Sequence, residues 1–339
     1  MPKKNRVIII AEAGVNHNGD ISIALDLINA ASNAGADIIK FQTFDTDNLV
    51  THYSKKADYQ IRNDKDSSHE SQRDMLKKLE LNQDEYKILA KRCKELNIEF
   101  LSTGFDLKSL NFLNSLGLKR NKIPSGEITN KPYLRHIAKF KNPILLSTGM
   151  SSLQEVKEAV AILIESGLRM DDLTILQCTS EYPTPMEEIN LRVLDTLRNF
   201  FNVQVGISDH SVGISVPIAS VALGAVVIEK HLTLDKKLPG PDHKASIEPK
   251  EFSLMVKAIR EIELAMGDGK KIPSSSETKN KNIVRKSIVA SRKINKGELF
   301  SYENISFKRP GYGISPMKID EVIGKISKKI FNEDELIDL

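Results

Sequence analysis

The sequence predicts an α/β protein whose larger part is a closed (β/α)8 barrel, and three observations favour this fold class. Eight short runs of apolar, β-forming residues alternate with stretches of helical periodicity along the chain. These units occupy about 250 residues, a length typical of a barrel with eight strands and eight helices. With 339 residues in total, the chain also has room for one small further domain.

The eight predicted strands follow one another along the chain. In order they are VIIIAEAG (7–14), DIIKFQT (37–43), EFLSTGF (99–105), LKRNKIPS (118–125), PILLSTG (143–149), LTILQCTS (173–180), VQVGISDH (203–210) and AVVIEKHLT (225–233). Helical apolar spacing is found between most of them, as in ISIALDLINAASNAG, SSLQEVKEAVAILIESG and PKEFSLMVKAIREIELAMG. This alternation is typical of a parallel sheet covered by helices.

An open, doubly wound sheet is the alternative architecture. Such a sheet gathers its polar strand ends at one crevice, and a G-x-G-x-x-G motif often follows its first strand. Here no such motif follows the first run, and all eight runs have polar C-terminal ends. The closed barrel is therefore the better interpretation.

A long polar insert separates the second and third predicted strands. It covers residues 44–82 and contains KADYQIRNDKDSSHESQRDM. Two interpretations stay open for it: a solvated loop, or a lid over the catalytic rim of the barrel. Both can hold for different parts of the insert.

The composition changes after Gly267. The segment DGKKIPSSSETKNKN is polar and charged, so the sequence predicts a barrel domain at 1–268, a linker at 269–283 and a small C-terminal domain at 284–339. That domain is small for an independent apolar core. We therefore expect it to lean on another surface, either of this barrel or of a partner.

Composition and charge narrow the class of protein. Apolar residues make up 40% of the chain and charged residues 28%, as in ordinary globular domains. The net charge of +4 is small for this length, so neither nucleic acid nor a membrane is predicted as a partner. Cys93 and Cys178 show no CxxC spacing, and the apolar run near the N-terminus is too short for a signal peptide. We therefore expect a cytoplasmic protein.

Functional groups of a (β/α)8 barrel lie at the C-terminal ends of its strands, because those loops open on one face. In this sequence every predicted strand ends in polar residues, whereas its start is apolar. The candidates are, in chain order, Glu12, Lys40 with Gln42, Thr103, Lys122 with Ser125 and Glu127, Ser147, Ser180 with Tyr182, Ser208 with His210, and Glu229 with His231. We expect these groups to converge on one mouth of the barrel.

The lysines among these candidates indicate an anionic ligand. Residues i and i+2 of a strand share a face, so Lys40 and Gln42 are expected to point the same way. Lysines inside apolar strands are costly to bury without a partner. Two lysines beside hydroxyl groups favour a pocket for phosphate, or for phosphate and carboxylate. The alternative is a set of internal ion pairs with Glu12, Glu127 and Glu229.

His210 and His231 end the last two predicted strands and are therefore expected to be neighbours. Two imidazoles that converge at a barrel mouth are typical of a divalent metal site with open positions. The alternative is a pair of hydrogen-bonded histidines in a polar rim, and spacing alone leaves both open. Other histidines are interpreted as loop or surface residues, namely His17, His52, His69 and His136.

Nine motifs, in order over nearly the whole chain, resemble one known family. They are AEAGVNHNGD, GADIIKFQTF, KIPSGEITN, LSTGM, CTSEYPTP, GISDHS, IEKHLT, GPDHKAS and KRPGYGIS. Together they are similar to the sialic acid synthases, the bacterial nonulosonate synthases. The resemblance implies a TIM barrel followed by a small antifreeze-like (SAF) domain, with two chains paired as a domain-swapped homodimer.

The resemblance also implies a reaction. A phosphoenolpyruvate-dependent transferase would condense this substrate with an N-acyl mannosamine-type sugar, either N-acetylmannosamine or 2,4-diacetamido-2,4,6-trideoxymannose. With water consumed, the products would be phosphate and a nine-carbon 2-keto sugar acid, N-acetylneuraminate or legionaminate. C3 of phosphoenolpyruvate would attack the open-chain aldehyde, and phosphate would leave with C–O cleavage. A pseudaminate-type synthase is the neighbouring alternative.

The resemblance further implies roles for individual residues. Phosphoenolpyruvate would be held by Lys40, Thr103, Lys122, Ser125, Ser147 and Ser208. The sugar side would be lined by Glu12, Gln42, Glu127, Tyr182 and Asp242, and either Glu229 or Asp242 would handle the proton of water. His210 and His231 would ligate Mn²⁺ or Mg²⁺, and Arg309 would reach into the partner's barrel. The position of Ser180 is asparagine in some relatives, so its contact with phosphoenolpyruvate is left open.

Other classes of function stay open. A metal-assisted barrel hydrolase or a simple aldolase would use the same face, although neither needs two lysines with a ring of hydroxyls. An aldolase would form a Schiff base on a lysine. In a non-enzymatic interpretation the C-terminal domain is itself a binding module for ice or carbohydrate, which leaves the polar strand ends without a use.

Overall fold

The computed structural model describes residues 6–63 and 70–339. These residues form two compact units, one ending at Gly267 and the other beginning at Asp268. His69 belongs to the segment 64–69, so its predicted surface position lies outside the described residues. No helix in the described part of the chain has the length and apolar character of a membrane span.

Eight parallel strands form the centre of the first unit. They are β1 Ile8–Gly14, β2 Ile38–Thr43, β3 Glu99–Gly104, β4 Asn121–Ile123, β5 Ile144–Ser147, β6 Leu173–Cys178, β7 Gln204–Asp209 and β8 Val227–His231. The hydrogen-bonded order is β3-β2-β1-β8-β7-β6-β5-β4, so the first strand pairs with the last, and β3 and β4 lie against each other at the remaining seam. The predicted eight-stranded barrel is confirmed, and the open doubly wound alternative is wrong.

Helices connect these strands. They are α1 Ile21–Asn33, α2 Thr46–Leu49, α3 Asp58–Asn63, α4 Gln72–Leu79, α5 Gln83–Glu95, α6 Leu107–Ser115, α7 Lys131–Ala138, α8 Leu153–Glu165, α9 Val193–Phe201, α10 Ser215–Ala222 and α11 Pro249–Ala265. Local sequence sets several of their starts. The Asp20 side chain caps α1, and Ser152 with Glu155 forms a capping box on α8.

The barrel strands are apolar over most of their length and polar at one end. In β8, Val227 and Ile228 belong to the main apolar core, whereas Glu229 and His231 follow them and are also buried. The helices cover the outer face of the barrel with the apolar residues of that same core. The fold therefore concentrates its buried polar groups at the C-terminal ends of the strands, as the sequence predicts.

The insert between β2 and β3 is more structured than a solvated loop. Its described residues form α2, α3 and α4, and residues 64–69 lie outside them. Met75 and Leu79 of α4 are buried together with Val15 and Phe44 in an apolar cluster separate from the main core. Because this cluster needs the apolar face of α4, the described part of the insert packs onto the rim of the barrel.

The second unit is small and has an apolar core of its own. It contains α12 Ser275–Val284, an antiparallel pair β9 Ser287–Ala290 and β10 Ile305–Lys308, and a 3-10 helix Pro316–Glu321. Its core is formed by Ile288, Ala290, Ile294, Phe300, Ile305, Val322, Phe331 and Ile337. Composition alone predicts a core too small to stand by itself, and the expected contact with another surface stays a prediction.

The structure describes a helix within the segment 269–283 that the sequence predicts as a linker. Helix α12 occupies most of this segment, although none of its residues is buried. The reason is local: Ser274 accepts from the backbone N–H of Glu277, and the Glu277 carboxylate accepts from the backbone N–H of Ser274. This capping box starts a helix that a polar composition does not reveal.

Candidate active site

A cavity of about 560 Å³ lies at the C-terminal ends of the barrel strands. It is lined by most of the site residues predicted from sequence, namely Glu12, Lys40, Gln42, Thr103, Lys122, Ser125, Ser147, Ser180, Tyr182, Ser208, His210, Glu229, His231 and Asp242. Pockets of this size are typical of small-molecule sites. The predicted convergence on one mouth of the barrel is therefore what the structure shows for these residues.

Two lysines and two glutamates form an ion-pair network at the floor of the cavity. Lys40 Nζ lies 2.7 Å from Glu12 Oε2 and 3.8 Å from Glu229 Oε2, and Lys122 Nζ lies 3.4 Å from Glu229 Oε1. All four side chains are at most 4% exposed. The internal ion pairs considered from sequence exist, but they involve Glu12 and Glu229 and not Glu127.

Burial and neighbouring charge set the protonation of these groups. Burial, only partly offset by Lys40, raises the pKa of Glu12 to about 7. Burial acts the same way on Glu229, but the attraction of Lys122 and Lys40 outweighs it and lowers the pKa of Glu229 to about 2. Burial also lowers the pKa of Lys122. An anion beside Lys122 would favour the charged form of this lysine. The network is therefore suited to binding an anionic ligand.

Hydroxyl groups complete this side of the cavity. Lys40 Nζ donates to Thr103 Oγ1 at 3.1 Å, and the Ser208 hydroxyl donates to Glu229 Oε1 at 2.8 Å. Ser125 Oγ accepts from the backbone N–H of Gly149 at 3.0 Å. Ser147 Oγ is buried with no hydrogen-bond partner among the described residues. A buried hydroxyl without a partner is costly, so it is available to a ligand.

The two histidines lie side by side at the ends of β7 and β8, with ring centroids 5.3 Å apart. His210 Nδ1 is 2.6 Å from the carbonyl oxygen of Thr179, and since a carbonyl only accepts, Nδ1 carries the proton. Nε2 of His210 is then the basic nitrogen. The ring of Tyr182 stacks on His210 with centroids 4.1 Å apart. These contacts fix the orientation of the His210 ring.

His231 is the less satisfied of the pair. Its Nδ1 is buried without a hydrogen-bond partner among the described residues, and it lies 3.9 Å from Asp242 Oδ2. Burial lowers the pKa of His231 well below its usual value, and burial raises the pKa of Asp242 to about 6. Within the described ranges, no three His, Cys, Asp or Glu side chains are grouped closely enough to hold a metal ion by themselves. The candidate metal ligands in this cavity are therefore the two imidazoles, which would leave the other coordination positions of a metal ion open.

Two predicted residues, Glu127 and Arg309, are not among the residues that line the cavity. Glu127 is on the 3-10 turn Ser125–Glu127 after β4, and its Oε2 accepts from Asn130 Nδ2 at 2.6 Å. The strand has already ended there, so strand alternation no longer fixes the direction of the side chain. Arg309 is an exposed residue of the second unit. Its predicted role in a partner's barrel stays a prediction.

The structure adds lining residues that sequence reasoning missed. The insert contributes Tyr59 of α3, whose ring lies 4.8 Å from that of Tyr182, and most of an apolar wall. We define the apolar wall as Val15, Phe44, Leu49, Met75, Leu76 and Phe105, which belong to the separate apolar cluster and also line the cavity. The helical spacing of α4 was an available signal for it.

Cys178 is a further lining residue that sequence reasoning missed. It ends β6 as the register partner of Ser208, it lines the cavity, and its Sγ lies 3.7 Å from Ser125 Oγ. Its position at the end of a strand could have indicated a place in the cavity lining, but cysteines were considered only by their number and spacing.

Hydrogen bonds hold α3 over the cavity. Asn63 Nδ2 donates to the carbonyl oxygens of Tyr182 at 3.0 Å and Pro241 at 2.8 Å. Lys244 Nζ donates to the carbonyl oxygen of Asn63 at 2.6 Å, and Arg62 pairs with Glu181. The insert is thus tied to the loops after β6 and β8, which is consistent with a covering role.

Comparison with known proteins adds a family to this geometry. Residues 27–271 match the model of the NeuB family, and residues 285–339 match that of the SAF domain. N,N'-diacetyllegionaminic acid synthase of Campylobacter jejuni is 52% identical over 98% of this chain and 99% of its own length. The enzyme of the same name from Legionella pneumophila is 49% identical over 93% of this chain and 89% of its own length.

A solved structure agrees with these matches. N-acetylneuraminic acid synthetase from Leptospira borgpetersenii, crystallised with citrate, superposes with a TM-score of 0.72 at 35% identity, over 81% of this chain and 90% of that one. The SAF match at 285–339 lies within the small C-terminal unit, as the resemblance implied. The chain is an enzyme, and it belongs to the NeuB family of nonulosonic acid synthases.

Proposed function

We propose that the enzyme condenses phosphoenolpyruvate with an N-acyl mannosamine-type sugar and water to give a nine-carbon 2-keto sugar acid and phosphate. The supporting observation is that Lys40 and Lys122 meet the unpartnered hydroxyl of Ser147 and two buried imidazoles in one cavity. Phosphoenolpyruvate carries both a phosphate and a carboxylate, which are costly to remove from water without cations. A simple hydrolase would not need this arrangement.

For the acceptor we propose 2,4-diacetamido-2,4,6-trideoxymannose, with legionaminate as the product. The support is the name of the two relatives at about half identity, each a diacetyllegionaminic acid synthase. The apolar wall suits methyl groups, and this sugar carries one at C6 and one in each acetamido group. N-acetylmannosamine and the pseudaminate precursor are the alternative acceptors, and an assay of phosphate release with each sugar distinguishes them.

Lys40 and Lys122 would bind the anionic groups of phosphoenolpyruvate, assisted by Ser147 and Thr103. Holding both substrates in one cavity converts a collision of two molecules into a positioned reaction. C3 of phosphoenolpyruvate would then form a bond to the aldehyde carbon, water would add at C2, and phosphate would leave by C–O cleavage. Tyr59 and the apolar wall would exclude bulk water from the acceptor.

The donor set fits a divalent ion, because His231 Nδ1 is a buried nitrogen without a partner and His210 presents a basic Nε2. We propose that His210 and His231 hold Mn²⁺ or Mg²⁺. When bound, the ion would polarise the carbonyl oxygen of the open-chain aldehyde. Thr179 would keep the His210 ring in place through its carbonyl oxygen, and Tyr182 would cover the ring face.

Asp242 is the better candidate for the proton of the attacking water. Glu229 is held by Lys122, Lys40 and the Ser208 hydroxyl, and a carboxylate in such a network is a weak base. Asp242 Oδ2 faces His231 at 3.9 Å, and no lysine lies within ion-pair distance of it among the described residues. We therefore assign proton transfer to Asp242 and anion-site charge balance to Glu229.

We also propose a homodimer in which the C-terminal domains are exchanged, so that Arg309 of each chain reaches the sugar side of the partner's barrel. The motif KRPGYGIS, which carries Arg309, and the match of residues 285–339 to the SAF domain support this arrangement. An arginine suits hydroxyl and acyl oxygens of a sugar, because it donates several fixed hydrogen bonds.

Phosphate release from phosphoenolpyruvate tests the function, with each candidate sugar in turn and with and without a chelator. We expect release only when an amino sugar is present, fastest with the diacetamido sugar, and lost on chelation. Release without any sugar would favour a hydrolase. Covalent trapping of substrate on Lys40 or Lys122 by borohydride would favour a Schiff-base aldolase.

A matched pair of variants checks the anion site. Lys122→Met should raise the KM for phosphoenolpyruvate at least about tenfold, since it removes one of two cations. Lys119→Met, at an exposed position of the same segment, should leave it unchanged. Equal behaviour of the two variants would refute the proposed binding role of Lys122.

A further inference from the structure

A buried ion pair lies on the outer face of the barrel wall, behind the two histidines. Asp209 of β7 and Lys230 of β8 are register partners, and Lys230 Nζ lies 2.6 Å from Asp209 Oδ2. Lys230 is fully buried and Asp209 is 2% exposed. Neither residue lines the cavity, because the alternate positions Ser208, His210, Glu229 and His231 face it.

The Lys230 ammonium holds both ends of a three-residue segment. Besides the Asp209 carboxylate, it donates to the carbonyl oxygen of Ser211. The other carboxylate oxygen of Asp209 accepts from the backbone N–H of Ser211 at 3.0 Å. His210 is the middle residue of this segment, and its own carbonyl oxygen accepts from the backbone N–H of Thr184 at 3.0 Å. The backbone on either side of the imidazole is therefore anchored to one cation.

Stability alone does not explain an ion pair at this place. The adjacent outward positions, Ile207 on β7 and Ile228 on β8, belong to the apolar core. Replacing a buried ion pair by apolar side chains of similar volume is often neutral or stabilising, because both charges must be removed from water. The position would thus accept two apolar residues, and the pair indicates a requirement other than packing.

We propose that Lys230 is a positioning residue, which acts through Asp209 and Ser211 to hold the His210 backbone. With the backbone fixed, His210 keeps Nδ1 on the Thr179 carbonyl and presents Nε2 to the cavity. Lys230 touches no substrate in this arrangement. The inference rests on the proposed function, in which His210 ligates the divalent ion and the partners of a ligand strongly affect the affinity for the metal.

The test uses a double variant, because Lys230→Met alone leaves the Asp209 charge buried and can prevent folding. Asp209→Leu/Lys230→Met replaces both charges by apolar side chains of similar size. The matched control is Glu99→Leu/Arg120→Met, which removes an ion pair of 2.7 Å at the opposite ends of the barrel strands. For each protein we would measure the melting temperature, kcat, the KM for phosphoenolpyruvate, and Mn²⁺ affinity of the metal-free protein by electron paramagnetic resonance.

We expect the first double variant to fold with a melting temperature close to that of the wild type. Its kcat should fall about tenfold or more and its Kd for Mn²⁺ should rise by a similar factor, while the KM for phosphoenolpyruvate stays within about twofold. The control should match the wild type in kcat and Mn²⁺ affinity. A folded Asp209→Leu/Lys230→Met protein with wild-type kcat or wild-type Mn²⁺ affinity would overturn the inference.

A second variant covers the case in which that protein does not fold. Lys230→Arg keeps a cation beside Asp209 but replaces the compact ammonium by a planar fork that cannot reproduce both contacts. It should also weaken Mn²⁺ binding, and unchanged binding would contradict the positioning role. If the wild type itself neither released phosphate nor bound Mn²⁺, the proposed function would fail first, so the two failures are distinguishable.

Discussion

At the residue scale, the proposed anion site contains buried charges of both signs. Lys40 and Lys122 carry two positive charges into the barrel, and Glu12 and Glu229 offset them. An uncompensated ion in the interior costs several kcal/mol, and these pairs offset part of that cost for both lysines. Because burial raises the pKa of Glu12 to about 7, a fraction of Glu12 is neutral near that pH. The site then keeps positive charge for an anionic substrate.

His231 carries the sharpest residue-scale prediction. In His231→Ala, kcat should fall at least about 100-fold, equivalent to roughly 2.7 kcal/mol of transition-state stabilisation. The fold should persist, since the Nδ1 atom that is removed has no hydrogen-bond partner among the described residues. The measurements are phosphate release and the far-ultraviolet circular dichroism melting curve.

The control for this prediction is His52→Ala, because His52 is exposed. It should keep both turnover and melting temperature. Near-normal turnover in His231→Ala would remove the proposed metal role of His231.

Residues such as His231 and Lys40 could be predicted from sequence because strand periodicity fixes their direction. Once a segment is a strand, side chains at alternate positions share a face, and the strand end fixes the height in the barrel. Glu127 shows the limit, since it follows the strand on a 3-10 turn and turns to Asn130. Cys178 shows another limit of sequence reasoning, because its residue type alone does not indicate a role in the cavity.

At the scale of elements, the strands were easier to predict than the insert. All eight strands lie inside the predicted runs, since each run is apolar and short. The helices α3 and α4 lie in a polar stretch, in which Met75 and Leu79 of α4 are spaced for one helical face. In the apolar cluster, α4 packs together with Val15 and Phe105, which follow β1 and β3, and no local pattern indicates such a distant contact.

The apolar wall leads to a prediction for α4. Leu76 lines the cavity and belongs to the apolar cluster, so Leu76→Asn should weaken contact with the methyl groups of the acceptor. Loss of one such contact is worth about 1 kcal/mol, so the KM for the diacetamido sugar should rise roughly fivefold. The KM for phosphoenolpyruvate should stay the same, because the lysines are untouched. Steady-state kinetics with each substrate varied in turn makes the measurement.

Leu254→Asn is the matched control, since Leu254 is an exposed residue of α11 and does not line the cavity. It should leave both KM values unchanged. If Leu76→Asn raised the KM for phosphoenolpyruvate as much as the KM for the sugar, the proposed contact between the apolar wall and the sugar would be contradicted.

At the scale of the whole molecule, two kinds of inference have to be separated. The barrel follows from physical patterns in the sequence, and the structure shows it. The exchange of C-terminal domains follows only from a family resemblance, because no periodicity or charge pattern indicates which barrel receives Arg309. The question is therefore one for an experiment that distinguishes action within a chain from action between chains.

Complementation between two defective chains makes that distinction. In the proposed exchanged homodimer, co-expressed Arg309→Ala and Lys122→Met chains would pair at random, and an intact barrel would receive the intact Arg309 of its Lys122→Met partner. Random pairing gives about one quarter of all barrels in this state, so we expect about a quarter of wild-type turnover at low sugar concentration. Each variant alone should have a turnover well below that.

The control replaces Arg309→Ala by Arg292→Ala, since Arg292 is an exposed arginine of the same unit. Co-expressed with Lys122→Met, it should leave about half of the barrels active. Turnover no higher than the average of the two separate variants would show that Arg309 serves its own chain, or no barrel at all.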